Sequence, residues 1–180
     1  MLESVFSQFS VFGFSGSRSG VPSGCFPCVP LVPAGSKVFV GCANGVDAFF
    51  RSQFPTASVF AAASFGSGRG SFAARSVAVV RAVAVSGGLW VSFPSSPCPT
   101  GLQPSSSQSK CFRGLGSGSW ASLAFALGLG VPGFPLKSCW LGFVPRPCLH
   151  WLVRVFQHPQ SKSGCYCPVV LVLANGRSPL

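Results

Sequence analysis

Five short apolar runs, each closed by small residues or prolines, recur along the first 136 residues of this 180-residue chain. The first, Phe9-Ser-Val-Phe-Gly-Phe14, ends in the turn Ser15-Gly16-Ser17-Arg18. The second, Lys37-Val-Phe-Val40, meets Gly41-Cys42-Ala43-Asn44-Gly45, after which Val46, Phe49, Phe50 and Phe54 repeat at helical spacing and Asp47 and Arg51 are set to pair at i, i+4. The third, Ala57-Ser-Val-Phe-Ala61, precedes a basic glycine-rich loop, Gly66 to Gly70, and a helix expected over 71–85. That helix carries Arg75 and Arg81 on one side, with Phe72, Val79, Val80 and Val83 as bulk. The fourth, Leu89-Trp-Val-Ser-Phe93, leads into a loop rich in Pro and Ser over 94–113. Gly114 to Gly118 then open a helix with Ser119 as candidate cap and Trp120, Leu123, Ala124 and Leu127 on one stripe. The fifth, Val131 to Leu136, contains two prolines and reads as an edge strand.

Runs of strand type alternating with helices predict an α/β fold: a Rossmann-like three-layer domain with a mostly parallel sheet of about five or more strands. The first crossover, residues 20–35, contains Pro22, Pro27, Pro30 and Pro33, so a helix there is short, distorted or absent. Residues 1–136 are expected to form this domain. Residues 137–180 offer only weak runs at 150–156 and 168–173 and are read as a C-terminal extension packed on it.

Charge narrows the chemistry. Thirteen Lys and Arg against two acids, Glu3 and Asp47, give a net charge of +11, which favours an anionic partner and leaves no carboxylate pair for acid–base work. An apolar fraction of 48% with 18 Phe excludes charge-driven disorder. The apolar heart of the longest uncharged stretch, Trp120 to Val131, is about 12 residues where a spanning helix needs about 20, so no membrane partner is expected. Glu3 and Arg18 interrupt any leader-like pattern, and the expected location is cytoplasmic. Nine cysteines are an odd number, so a closed disulfide framework would leave one over. Cys25-x-x-Cys28 and Cys165-x-Cys167 match zinc spacing loosely and read as reduced, partly hydrophobic thiols, with no metal and no cofactor expected. His150 and His158 lack partner acids, so no triad is expected and no catalytic residue is assigned.

In open α/β sheets ligands bind beyond the carboxyl ends of the strands. Three turns hold that position: Ser15 to Arg18, Gly41 to Gly45, and Gly114 to Gly118. Glycines let backbone N–H groups approach a phosphate, the following helix adds its positive end, and Arg18 can clamp an anion bidentately. Each turn equally suits an ordinary strand-to-helix connection. Arg75 equally suits the surface, and Asp47 the start of its own helix.

Together, the turn Ser15-Gly-Ser-Arg18, the signature Gly41-Cys-Ala-Asn-Gly-Val-Asp47, Arg75 in Phe72-Ala-Ala-Arg75 and the late turn Gly116-Ser-Gly-Ser-Trp120 resemble, over residues 9–136, the SLOG superfamily of Rossmann-like domains. That group includes the DprA/Smf proteins, the LOG phosphoribohydrolases and nucleotide-sensing SLOG domains. The resemblance implies a nucleotide-derived small molecule held by Gly16, Ser17, Arg18, the turn of Ala43, Asn44 and Gly45, and the turn of Gly116, Ser117, Gly118 and Ser119. Asp47 and Arg75 would line or support the pocket. The phosphoribohydrolases carry a glutamate on the helix after a Gly-Gly-x-Gly-Thr turn, whereas this chain continues Ser119-Trp-Ala-Ser122 without an acid. The expectation is therefore ligand binding without hydrolysis. The alternative is a DprA-like single-stranded DNA-binding protein using Arg18, Arg69, Arg75 and Arg113. An enzyme acting on a nucleotide and a membrane-associated small protein rank lower, and a homo-oligomer is left open.

Overall fold

Strict alternation along the strands builds the core. In β1 (Val11–Gly16), Phe12 and Phe14 point to one face of the sheet. In β2 (Lys37–Gly41) Val38 and Val40 do so, and in β4 (Leu89–Phe93) Leu89, Val91 and Phe93. Phe39 and Trp90, one residue out of step, join the core on the opposite face. A sheet buried on both faces must be covered on both, and the computed structural model, which describes residues 2–136, has helices on each side.

All ladders are parallel. β1 pairs with β2 and β4, β2 with β3 (Ser58–Phe60), and β4 with β5 (Gly133–Pro135), giving the order β3-β2-β1-β4-β5. The chain is thus a Rossmann-like α/β domain whose strand order reverses direction between β1 and β4. On the first face lie α1 (Leu2–Phe6), a 3₁₀ stretch over Ser23–Leu31 and α2 (Val46–Gln53). On the second lie α3 (Arg69–Val85), α4 (Gln108–Cys111) and α5 (Gly118–Gly128). β5 is an edge strand, the position that accommodates Pro135 within it.

The proline-rich first crossover is the nine-residue 3₁₀ stretch, since Pro27 and Pro30 inside it have no N–H to donate. Its Cys25 and Cys28 are buried in the first core. Burial pushes both thiols up to about 12, helped at Cys25 by its neighbour Cys28, so both stay protonated as small hydrophobes. Cys165, Cys167, His150, His158 and the expected extension over 137–180 lie outside the described residues.

Three local expectations change. The N-terminal helix α1 was not signalled by periodicity, yet it buries Val5 and Phe6. The segment 94–113 is not a plain loop: it contains α4, buries Leu102 and Cys111, accepts the Trp120 Nε1–H at Ser96 O (3.0 Å) and donates Ser105 N–H to Ala124 O (3.2 Å). It covers α5, whose residues Ser119 to Leu127 are therefore buried all round rather than along one stripe. The cap of α5 is Ser117, not Ser119, with extended backbone before the helix. No helix of the described residues is long and apolar enough to cross a membrane.

Candidate functional site

Because all strands run the same way, the turns after β1 and β2 and the approach to α5 emerge at the carboxyl end of the sheet, beside the reversal between β1 and β4. A cleft of about 220 Å³ opens there. Gly16, Ser17 and Arg18 line it from β1, Ala43 and Asp47 from the second turn and α2. Arg75 lines it from α3, and Ser117, Gly118 and Ser119 from α5. Of the residues implied by resemblance, Asn44, Gly45 and Gly116 do not line it.

The first two turns are locked to each other. Ser17 N–H donates to Phe93 O at the end of β4 (3.1 Å), and Ser17 O accepts Val46 N–H at the start of α2 (3.0 Å). Gly45 sits at φ +67°, and a Cβ there would collide with Ser17 O, so this glycine is what lets the two turns meet. Ser17 can thus offer its hydroxyl, which already bonds Ser19 Oγ at 3.2 Å, but not its N–H.

The second turn is filled by the protein's own side chains. Arg75 Nη1 donates to Asp47 Oδ2 at 2.7 Å, with both side chains buried, and the same oxygen accepts Ala43 N–H at 3.2 Å. Gly41 lies under this pair, where a Cβ would strike both Arg75 and Asp47. The expected Asp47–Arg51 pair is not the one formed. Arg51 Nη1 donates instead to Gly41 O (2.7 Å) and Ala43 O (3.0 Å), because the carboxylate is turned to Arg75, 28 residues on in the chain, over Gly41. Burial pushes the Asp47 carboxyl above its ordinary value, against the pull of Arg75, the Ala43 N–H and Arg51. Arg75 is not a surface charge: it is 7% exposed, and its Nε has no hydrogen-bond partner.

The α5 wall is different. The first N–H groups of α5 have no acceptor within the helix, Ser117 has no side-chain capping bond, and Ser117 Oγ is buried without a partner. Beneath it, Ser92 Oγ, wholly buried, donates to Ser119 O (3.0 Å) and shares a hydrogen bond with Ser15 Oγ (3.0 Å). Opposite, the exposed Arg18 guanidinium lies 4.3 Å from the centroid of the Phe72 ring, with Arg75 at 6.0 Å from the same ring. Among the described residues the only ion pair is Arg75–Asp47, which leaves Arg18 as the cleft's uncompensated cation.

No family model, no curated protein and no solved structure matches this chain. The site therefore stands on its own geometry.

Reading the sequence missed Ser15, Phe72, Ala73, Ser76, Phe112 and Ser122 as lining residues. Phe72 was legible as helix bulk and as the start of Phe72-Ala-Ala-Arg75 but not as a lining residue, and Phe112 lay in a segment read as loop. Chemically, the cleft combines one free cation, a helix start, hydroxyls and two aromatic rings, with its single carboxylate already bonded twice. That set can hold an anion and a flat apolar group. No histidine or free acid stands among the lining residues to move a proton.

Proposed function

We propose that this chain is a SLOG-type binding domain that holds the phosphate of a nucleotide-derived small molecule without hydrolysing it. What carries the proposal is the convergence of Arg18 and the start of α5, with its unpartnered Ser117 hydroxyl, on one cleft at the reversal point of a parallel sheet. The resemblance of the turns to that superfamily supports it, and the bonded state of Asp47 argues against a general base. The test is incubation with AMP, followed by chromatography, alongside equilibrium dialysis. Binding without released adenine is expected. Adenine and ribose 5-phosphate appearing at enzyme-like rates would mean a phosphoribohydrolase.

A second reading, single-stranded DNA binding, is favoured by the exposed Lys110 and Arg113, close in sequence to the cleft-lining Phe112, together with the exposed Arg18 of the cleft. A strand engages several phosphates, so its affinity would fall by about 0.7 log units per log unit of salt for each one. Oligonucleotide binding that survives physiological salt and is lost in a Lys110→Ala/Arg113→Ala double variant, with nucleotide binding intact, would make this the better account.

A further inference from the structure

Base selection by proteins relies on side chains that pair with base edges: amides for adenine, carboxylates for cytosine, arginine for guanine. The cleft lining contains no Asn or Gln, and its only carboxylate, Asp47, is held by Arg75 and the Ala43 N–H. Several lining hydroxyls are likewise committed: Ser76 Oγ donates to Phe72 O at 2.9 Å and Ser122 Oγ to Gly118 O at 2.8 Å, while Ser15 is bonded to Ser92. Arg18, able to grip guanine, is layered on Phe72 and is the free cation for phosphate.

Flat apolar surface, by contrast, is present. Phe72 is occupied by Arg18, but Phe112, contributed by the segment after α4, lines the cleft and is half-buried. Its core-side partner is Phe125, in an edge-on contact at 6.1 Å between centroids. Phe112 is thus anchored at the core and presented to the ligand space, on the α5 side where the phosphate would sit.

Resting on the nucleotide reading above, we infer that Phe112 forms a base-stacking subsite that recognises the planarity of a nucleobase and not its edge. The cleft takes purine and pyrimidine nucleoside monophosphates alike. Stacking on a side chain is tolerant because every base has a π-face, whereas strong discrimination needs edge partners such as an amide or a free carboxylate, and the lining holds neither.

Calorimetric titration with AMP, GMP, CMP, UMP, ribose 5-phosphate and inorganic phosphate tests this on the full chain. The four nucleotides should agree within about fivefold, purines ahead, and each should exceed ribose 5-phosphate by about tenfold. Phe112→Ala should bring the nucleotides down to the ribose 5-phosphate level without changing ribose 5-phosphate itself, and Phe112→Trp should retain or improve nucleotide binding. Preference for one base by more than tenfold would overturn the inference, as would equal loss of nucleotides and ribose 5-phosphate in Phe112→Ala. If Phe112→Ala does not fold, the base series and Phe112→Trp still decide. Ribose 5-phosphate binding with no gain from any base sinks the stacking subsite alone. Failure of all six compounds to bind sinks the nucleotide reading itself.

Discussion

The two glycine-rich walls of the cleft look alike in sequence and behave oppositely in structure. Gly41 to Gly45 is closed: Asp47 takes the Ala43 N–H, Arg51 takes the Gly41 and Ala43 carbonyls, and Arg75 is drawn in over Gly41. Ser117 to Ser119 is open: the cap makes no side-chain bond and its hydroxyl has no partner. A glycine turn before a helix is available to a phosphate only where the protein's own side chains leave its polar groups free. On the reading proposed above, the first wall is scaffold and the second is the receiving surface.

The largest break in this contrast is expected from Asp47→Ala. It leaves the Arg75 charge buried and unpaired, and should cost about 3–5 kcal/mol of stability, on the order of 10–20 °C in Tm. Gly41→Ala removes no charge but should act in the same direction, because its methyl occupies the space of the ion pair. Denaturant unfolding checks both. If either variant is as stable as the parent, the closed wall is not a structural clasp.

On the open wall, and at Arg18 which faces it, the effects should appear in binding and spare the fold. Arg18 is exposed, with its guanidinium lying over the Phe72 ring. Arg18→Ala should weaken nucleotide binding by about 10- to 100-fold, as for a charged hydrogen-bonding group, while stability changes by about 1 kcal/mol or less. Ser117→Ala should weaken binding about fivefold with stability unchanged or raised, since the hydroxyl it removes is buried without a partner. Titration and melting of the same samples separate the two walls. A Ser117→Ala protein that melts earlier but binds normally would reverse the assignment.

Most of the architecture was legible because parallel strands buried on two faces leave a dense apolar record. Phe12, Phe14, Val38, Val40, Leu89 and Val91 mark one face, with Phe39 and Trp90 on the other. The three turns were also legible, as glycines placed between a strand and a helix. Partner choice was not. Asp47 has Arg51 one helical turn away and Arg75 28 residues on, and local spacing names only the former; the position of α3 against β2 and Gly41's missing side chain decide for the latter. Phe112 was hidden for a related reason. A proline- and serine-rich segment gives no period from which to tell that Leu102 and Cys111 anchor it to the core and so turn the next residue toward the cleft.

The smallest expected effect concerns pH and isolates the closed wall. Unfolded, Asp47 titrates at its ordinary value near 3.8; folded, burial raises it above that despite Arg75, the Ala43 N–H and Arg51. Between the two values the folded protein keeps a proton that the unfolded chain has released, so stability falls as pH rises through that interval and recovers as pH drops through it. This reverses the usual acid lability, in which paired carboxylates with lowered values lose stability on acidification. Only two acids exist in the whole sequence, so little else of that kind can mask it. Melting curves between pH 7 and 4 should therefore show Tm level or slightly rising toward acid, and Asp47→Asn should remove the rise. Above pH 9 the sign has another source: Cys25 and Cys28, pushed from 9.0 up to about 12, keep protons that the unfolded chain loses, so stability should decline with alkali in parent and Asp47→Asn alike. A parent Tm that drops on acidification while Asp47→Asn stays level would mean that the Arg75 pairing outweighs burial at Asp47, and that the closed wall is held by charge rather than by space.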